Sequence, residues 1–295
     1  MRIAVLGSAE SWYLEDLRRA AAQQHEIVPA LWREVAAAVE AGQTRVWAGR
    51  VALDQFDAVL VRTMPAASLE QIVFRMDALA SLYAGGVPVI NSPKAVETAI
   101  DKYLTLARVQ AAGLPVPRTI VCQSADDALS AFEQLGGDVV VKPLFGSEGR
   151  GLTHLYDRGL AERVFQLFAQ QGAVLYVQQF LRHPGHDFRV LVIGQRLLAM
   201  RRASAGDWRT NVSRGGVATA CELTAQMAHL ARQSAAAVGA SIAGVDLLPD
   251  DQGRLHVLEV NAVPGWKGLA RALQVDVARI VIEHVAQLVQ EARQA

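Results

Sequence analysis

The sequence predicts an α/β domain followed by an α+β region, on three observations. Apolar runs alternate with helically spaced segments up to residue 93. Strand-like runs then follow one another across residues 138–203 with only short turns between them. A hydrophobic content of 52% against 20% charged residues supports packed cores rather than disorder. At 295 residues the chain can hold two or three compact units.

The elements follow in order. "RIAVLG" (2–7) is a continuous apolar run closed by Gly, as in a buried parallel strand. Helical spacing runs from Ser11 to Gln24, "DAVLVRT" (57–63) reads as a second strand, and Ser68–Ala84 as a helix. "GVPVINSP" (86–93) is a strand entering a loop, which completes a βαβ alternation and a parallel sheet. "AVETAIDKYLTLARVQAAG" (95–113) reads as one helix ended by Gly113. Strands are predicted at "DVVVKPL" (138–144), "VLYVQQFL" (174–181), "FRVLVIG" (188–194) and "RLLAMRRA" (196–203), with a hairpin at Gly194-Gln195. A helix over 223–239, strands at "GVDLLPD" and "HVLEVN", and a helix over 274–293 complete the chain. The expected units are 1–93, 94–181 and 182–295, without an internal repeat.

Charge excludes several classes. Lys plus Arg equals Asp plus Glu at 29 each, so neither nucleic acid nor an anionic membrane is expected as the main partner. No apolar run is long enough for a membrane span, and "MRIAVLGS" lacks the pattern of a signal peptide. Cys122 and Cys221 have no CxxC spacing and read as small core residues in a reducing compartment. A cytoplasmic protein is expected, with a homo-oligomer left open.

Three constellations carry chemistry. In "VVVKPLFGSEGRG" (139–151), Lys142 ends a strand before Gly146, Gly149 and Gly151. Glycines let backbone N–H groups approach phosphate oxygens, and the Lys adds a point charge. A flexible hairpin tip is the plainer reading, and Lys102 in "AIDKYLT" reads equally as a solvated helix residue.

"HVLEVNAVPG" (256–265) ends a strand with two polar side chains where Val or Leu is expected. Strand alternation puts Val257, Glu259 and Asn261 on one face. If that strand pairs with "AGVDLL" through the "LPDDQGRL" turn, Asp246 joins Glu259 and Asn261 as a set of hard oxygen donors suited to Mg²⁺. Ion-paired structural acids are the alternative, while Asp250 and Asp251 read as solvated turn residues. "MRRASAGDWRTNVSRGG" (200–216) concentrates Arg201, Arg202, Arg209 and Arg214 with Asn211, which points to an anion site or to a basic loop. Trp208 within it can stack on a ligand or pack.

Taken in this order, the pieces resemble the ATP-grasp superfamily, most closely its RimK-like branch of carboxylate–amine ligases. The matching residues are "DKYLTLARVQAAGLPVPRT", "VVVKPLFGSEGRG", "VQQFL…HDFRVLVIG", "RRASAGDWRTNVSRGG", "AGVDLL" and "LEVNAVPGWKGL", across about residues 90–275. The resemblance implies an ATP-grasp fold of two α+β subdomains that clamp ATP, preceded by a parallel α/β domain. By position it implies Lys102 and Lys142 on ATP, with Gly146, Ser147, Gly149 and Gly151 closing over the phosphates. Gln179 and Phe180 would form the adenine hinge, with Asp187 near the ribose. Asp246, Glu259 and Asn261 would hold two Mg²⁺ ions, for which Mn²⁺ can substitute. Arg202, Arg209, Asn211 and Arg214 would face the phosphates and a substrate carboxylate.

The implied reaction is ADP-forming: a carboxylate becomes an acyl phosphate, and an amine displaces phosphate from it. Gln179 departs from the Glu common at that position in relatives. "HPGHD" is a shorter loop than usual, which weakens the placement of Asp187. The "VPGW" ending resembles ligases of pterin cofactor biosynthesis, and Trp266 could stack on a pterin or pack in the core. The expected substrates are therefore an amino acid, plausibly L-glutamate, and a carboxylate acceptor that is pterin-like or a peptide C-terminus. A D-alanine–D-alanine-type ligase and a non-catalytic nucleotide-binding scaffold are the alternatives. Arg62 in "VRTMP" is a candidate acceptor contact or a surface arginine.

Overall fold

The computed structural model describes all residues except 23, 41, 147–150, 205, 211–214 and 295. Strand β1 (Arg2–Gly7), helix α1 (Trp12–Ala21) and strand β2 (Glu26–Leu31) open the chain. A small antiparallel sheet of β3 (Val35–Glu40), β4 (Gln43–Ala48) and β5 (Val51–Ala52) follows, in a stretch where the hydropathy pattern predicts no element. Strand β6 (Ala58–Val61), helix α2 (Leu69–Ala84) and strand β7 (Val89–Ile90) complete a parallel sheet of order β2-β1-β6-β7. The central strands β1 and β6 are buried on both faces, hence their unbroken apolar sequences. Ser68 and Gln71 close a capping box that starts α2.

The helix expected over 95–113 is two helices, α3 (Pro93–Ile100) and α4 (Lys102–Ala111). Asp101 breaks it: its backbone is extended and its carboxylate accepts the Leu104 N–H at 3.0 Å, an N-cap rather than a helix interior. Lys102 therefore stands at the first position of a helix. Both helices pack on α7 and β16 described below.

Strand β8 (Thr119–Cys122), helix α5 (Ala125–Gln134), strands β9 (Val139–Lys142) and β10 (Thr153–Leu155), helix α6 (Arg158–Gln170) and strand β11 (Leu175–Gln179) build an antiparallel sheet of order β10-β9-β11-β8. Phe132, Phe165 and Val177 are in its core. The last sheet, order β14-β13-β12-β15-β16, comprises β12 (His186–Ile193), β13 (Arg196–Ala203), β14 (Val217–Ala220), β15 (Ile242–Pro249) and β16 (Leu255–Asn261), with helix α7 (Ala225–Val238) before β15. The β12–β13 hairpin turns at Gly194-Gln195, as the sequence predicts. Helix α9 (Val277–Gln294) occupies the predicted C-terminal position and packs on α1; helix α8 (Lys267–Leu273) precedes it. Both cysteines are free and half-buried, Cys122 packed against the core of the four-stranded antiparallel sheet and Cys221 against that of the five-stranded sheet.

One face of the five-stranded sheet, including Val190, Val245 and Val257, packs against α7. The other is divided. Leu191, Ile193 and Ile242 join the core formed with α1 and α9, while Asp187 and Asp246 further along the same strands face a cleft.

A β-bulge corrects the expected faces of β16. Asp246 pairs with Glu259 but Leu247 pairs with Val257, so Leu258 is an extra residue. The bulge reverses the alternation, which puts Val257 and Val260 in the core and Glu259 with Asn261 on the opposite face.

Candidate active site

The cleft lies between the β8–β11 sheet and the charged half of the β12–β16 sheet. Lys142, Gln178 and Phe180 line it from one side, and Asp187, Asp246 and Glu259 from the other.

Register explains how the charges meet. Arg189 is opposite Asp246 across β12–β15, and Asp246 is opposite Glu259 across β15–β16. Arg189 donates to both oxygens of Asp246 at 2.7 Å. Arg202, opposite Asp187 on β13, forks onto that carboxylate at 2.8 and 2.5 Å and reaches Asp246 at 2.9 Å. Burial alone would push the Asp246 carboxyl up, but Arg189 and Arg202 outweigh it and hold it at about 2. Burial pulls the Arg202 guanidinium down, and Asp246 with Asp187 more than reverses that. Asp246 and Asp187 are thus held in place by the two arginines.

Glu259 differs. It is half-buried, lines the cleft, and makes no hydrogen bond or ion pair with the described residues. Asn261 Oδ1 accepts the Val263 N–H at 2.8 Å. No cluster of three His, Cys, Asp or Glu side chains suited to a metal occurs among the described residues. A cation here would draw on two carboxylates, one amide oxygen and its own phosphate or water ligands, a donor set that fits Mg²⁺.

Two lysines oppose these acids. Lys142 donates to Gln178 Oε1 at 2.6 Å, and Gln178 Nε2 donates to Thr119 Oγ1 at 2.9 Å and to the Tyr176 hydroxyl at 3.3 Å. Burial pulls the Lys142 ammonium down to about 8, against the attraction of Glu259. Burial also lowers Lys102, whose Nζ donates to the carbonyls of Gly146 at 2.8 Å and Leu144 at 3.3 Å. Gly151 has φ +73°, and a Cβ there would come within 2.7 Å of Pro143. Ser147 and Gly149 lie outside the described residues, as do Asn211 and Arg214.

At the end of β11, the Gln179 N–H donates to Arg118 O and the Phe180 N–H to Asp138 O, both at 2.9 Å. Phe180 stacks on His154 with centroids 4.0 Å apart, and Trp208 meets Phe180 edge-on at 5.8 Å. His154 Nε2 lies 2.5 Å from Asp138 Oδ1. Arg209 forks onto Asp207 at 2.7–3.0 Å and borders the cleft. Gln178 and His154 escaped sequence reading, because neither strand spacing nor residue type separates them from ordinary strand residues.

Three further expectations are corrected. Asp250 is buried rather than solvated, since its carboxylate accepts from Gln252 N, Arg254 N, Arg254 Nε and His256 Nε2 at 2.8–3.1 Å and so closes the β15–β16 turn. Trp266 is fully buried, donates to Asp16 at 2.9 Å and offers no face for stacking on a ligand. Arg62 is no surface residue: it is buried at the end of β6, and its Nη2 donates to Pro264 O at 2.7 Å.

A cleft in which Lys142 on a strand and Lys102 at a helix start face fixed acids on the five-stranded sheet is the architecture of a nucleotide-dependent ligase. Residues 99–285 match the family model described as the RimK-like ATP-grasp domain, and the chain belongs to that family. It is 33% identical to a tetrahydromethanopterin:α-L-glutamate ligase of Methanosarcina acetivorans, over 82% of this chain and 83% of the relative. A probable α-L-glutamate ligase of Pectobacterium carotovorum is 36% identical, over 80% and 77%. The ATP-grasp ligase PsnB, solved with minimal precursor, Mg and ADP, shares the fold at TM-score 0.76 with 21% identity, over 97% of each chain. No helix among the described residues is long and apolar enough to cross a membrane.

Proposed function

We propose that this ATP-grasp ligase joins L-glutamate to a carboxylate on a small-molecule acceptor of pterin type. The observation that carries the reaction is the opposition of Lys142 and Lys102 to a row of carboxylates in which Glu259 alone has no partner among the described residues. The relatives named as glutamate ligases support the amino acid, and the methanogen relative supports the acceptor. Stacking on Trp266 no longer argues for a pterin.

In the proposed reaction an acceptor carboxylate oxygen bonds to the γ-phosphorus and ADP leaves. The glutamate amine then attacks the acyl carbon, a proton is lost from nitrogen, and phosphate departs. Two Mg²⁺ ions bound by Asp246, Glu259 and Asn261 would supply charge neutralisation for the phosphates. Lys142 and Lys102 would attract the nucleotide, Lys142 held in position by Gln178. Gln179 and Phe180 would border the adenine and Asp187 the ribose. The glycines 146–151 would exclude water from an intermediate that hydrolyses readily. We assign Arg202 a positioning role, since all its contacts fix Asp187 and Asp246; Arg209, Asn211 and Arg214 remain the proposed contacts for phosphate and substrate carboxylate.

The test is ADP formation across a panel of amino acids with pterin, folate and peptide acceptors. ADP that appears only when L-glutamate and a pterin-type acceptor are both present supports the reading. A requirement for a peptide acceptor, or for D-alanine, would replace it, and nucleotide binding without turnover on any pair would indicate a scaffold.

A further inference from the structure

Trp208 has no part in the reaction proposed above, and its surroundings give it one. It belongs to the connection between β13 and β14 that carries Arg209, Asn211 and Arg214. Its half-buried indole reaches from that connection to the β8–β11 sheet. There it meets Phe180 edge-on, with centroids 5.8 Å apart and planes at 78°, and His154 at 5.8 Å and 61°. Phe180 and His154 are themselves stacked, 4.0 Å apart at 17°. Asp138 fixes both rings of that stack: its carboxylate lies 2.5 Å from His154 Nε2, and its carbonyl accepts the Phe180 N–H at 2.9 Å. Stacked and edge-on contacts of this kind attract beyond the area they bury. The pair is therefore a fixed seat for the indole, built from β10 and from residues beside β9 and β11.

What the seat places is Arg209. This next residue in the chain lines the cleft together with Trp208, Thr210, Lys142 and Glu259, and Thr210 is buried. Arg209 Nε and Nη2 fork onto Asp207, and its Cζ lies 5.5 Å from the centroid of the Trp208 ring. Nη1 makes no hydrogen bond with the described residues. Asp207 and the indole thus hold the guanidinium from two sides and leave one edge for an anion. An arginine on a connection without such a seat would lose side-chain and backbone freedom at every binding event, which weakens its contact.

We propose that Trp208 is a positioning residue for the phosphate end of the nucleotide. By resting on the Phe180–His154 pair it holds Arg209 toward the γ-phosphate, and it makes no stacking contact with the base. The inference rests on the ligase reading above, since it takes the cleft to bind ATP. It ties the end of the cleft where Phe180 borders the adenine to the end where phosphoryl transfer occurs. It also gives the His154–Asp138 pair a purpose, which is to keep the seat in place.

The test uses the full chain with Mg²⁺, titrated calorimetrically with ADP and with a non-hydrolysable ATP analogue. The wild type is expected to prefer the analogue by at least about tenfold, and Arg209→Met to lose most of that preference. Trp208→Ala should lose as much, and the double variant no more than either, within about twofold, because the two residues act as one unit. Affinity for ADP, which lacks the γ-phosphate, should stay within about threefold in Trp208→Ala, which also shows that the variant is folded. Trp208→Phe keeps a ring for the edge-on contact and should restore the preference. His154→Leu weakens the seat without touching the connection and should lose part of it. Additive losses in the double variant overturn the inference, as does a preference that survives Trp208→Ala or Arg209→Met. An equal weakening of ADP and analogue in Trp208→Ala would make the indole a contact of the base and overturn it too. ADP formation is read separately. Turnover without a Trp208-dependent preference sinks the inference alone, and the preference without turnover on any substrate pair sinks the ligase reading alone.

Discussion

The charged row on β12–β16 and the crevice at the ends of β1 and β6 both bury arginines, with opposite arrangements. In the row, Arg189 and Arg202 satisfy Asp246 and Asp187 with forked hydrogen bonds, so the acids are held in place before any ligand arrives. In the crevice, Arg62 faces aromatic rings and a carbonyl with no acid to complete it among the described residues. A fully paired charge serves as a fixture that positions its neighbours. A buried charge without an acid rests on ring faces and a carbonyl instead. The same distinction separates Asp246 from Glu259, adjacent residues across two strands, of which only the first is paired among the described residues.

Breaking the row should have the largest effect. Arg202→Met leaves Asp187 buried without an ion-pair partner among the described residues and Asp246 with Arg189 alone, and denaturant unfolding is expected to show a loss of about 3–5 kcal/mol. A loss below about 1 kcal/mol, the range of exposed pairs, would mean that the row is not the fixture described here.

The next effect concerns the lysine side of the cleft. With the Lys142 ammonium pulled down to about 8, the free enzyme loses that charge as pH rises through this value. The kcat/KM for ATP should then fall by about tenfold per pH unit above it, because this ratio reports the free enzyme. The kcat should change less, since bound phosphates hold the proton on. A flat kcat/KM profile to about pH 9.5, roughly 1.5 units beyond that value, would remove Lys142 from nucleotide capture.

Asp250→Asn should have the smallest effect and sharpen the contrast. Asp250 is a paired acid outside the cleft, held well below the usual carboxylate range because the donors of His256 and Arg254 outweigh its burial. The variant is expected to melt at a modestly lower temperature with unchanged ADP formation. A loss of turnover would show that the β15–β16 turn controls the cleft.

Much of this arrangement was legible in the sequence, and the exceptions have physical causes. The strands around Lys142, Asp187, Arg202 and Asp246 were readable because long apolar runs end in charged residues there. The bulge at Leu258 was not, because an unpaired residue leaves no mark on a strand's composition, and it reversed the expected face of Val257. Asp101 interrupted an otherwise uniform helical pattern by capping, a choice that depends on a single side-chain hydrogen bond. The charge of Arg62 was visible, but its burial was not, since Trp266 reaches it from a distant part of the chain. Gln178, next to the residue that sequence reading chose, was distinguishable only once Lys142 was seen against it.

The central claim is that Glu259 is open because a metal-bound nucleotide completes it. Titration of the wild type and Glu259→Gln with a non-hydrolysable ATP analogue, with and without Mg²⁺, tests this directly. The expected result is that Mg²⁺ tightens binding by at least about tenfold in the wild type and much less in the variant, while both melt at the same temperature. Equal Mg²⁺ dependence in the two proteins would contradict the account and return Glu259 to the role of a solvated strand residue.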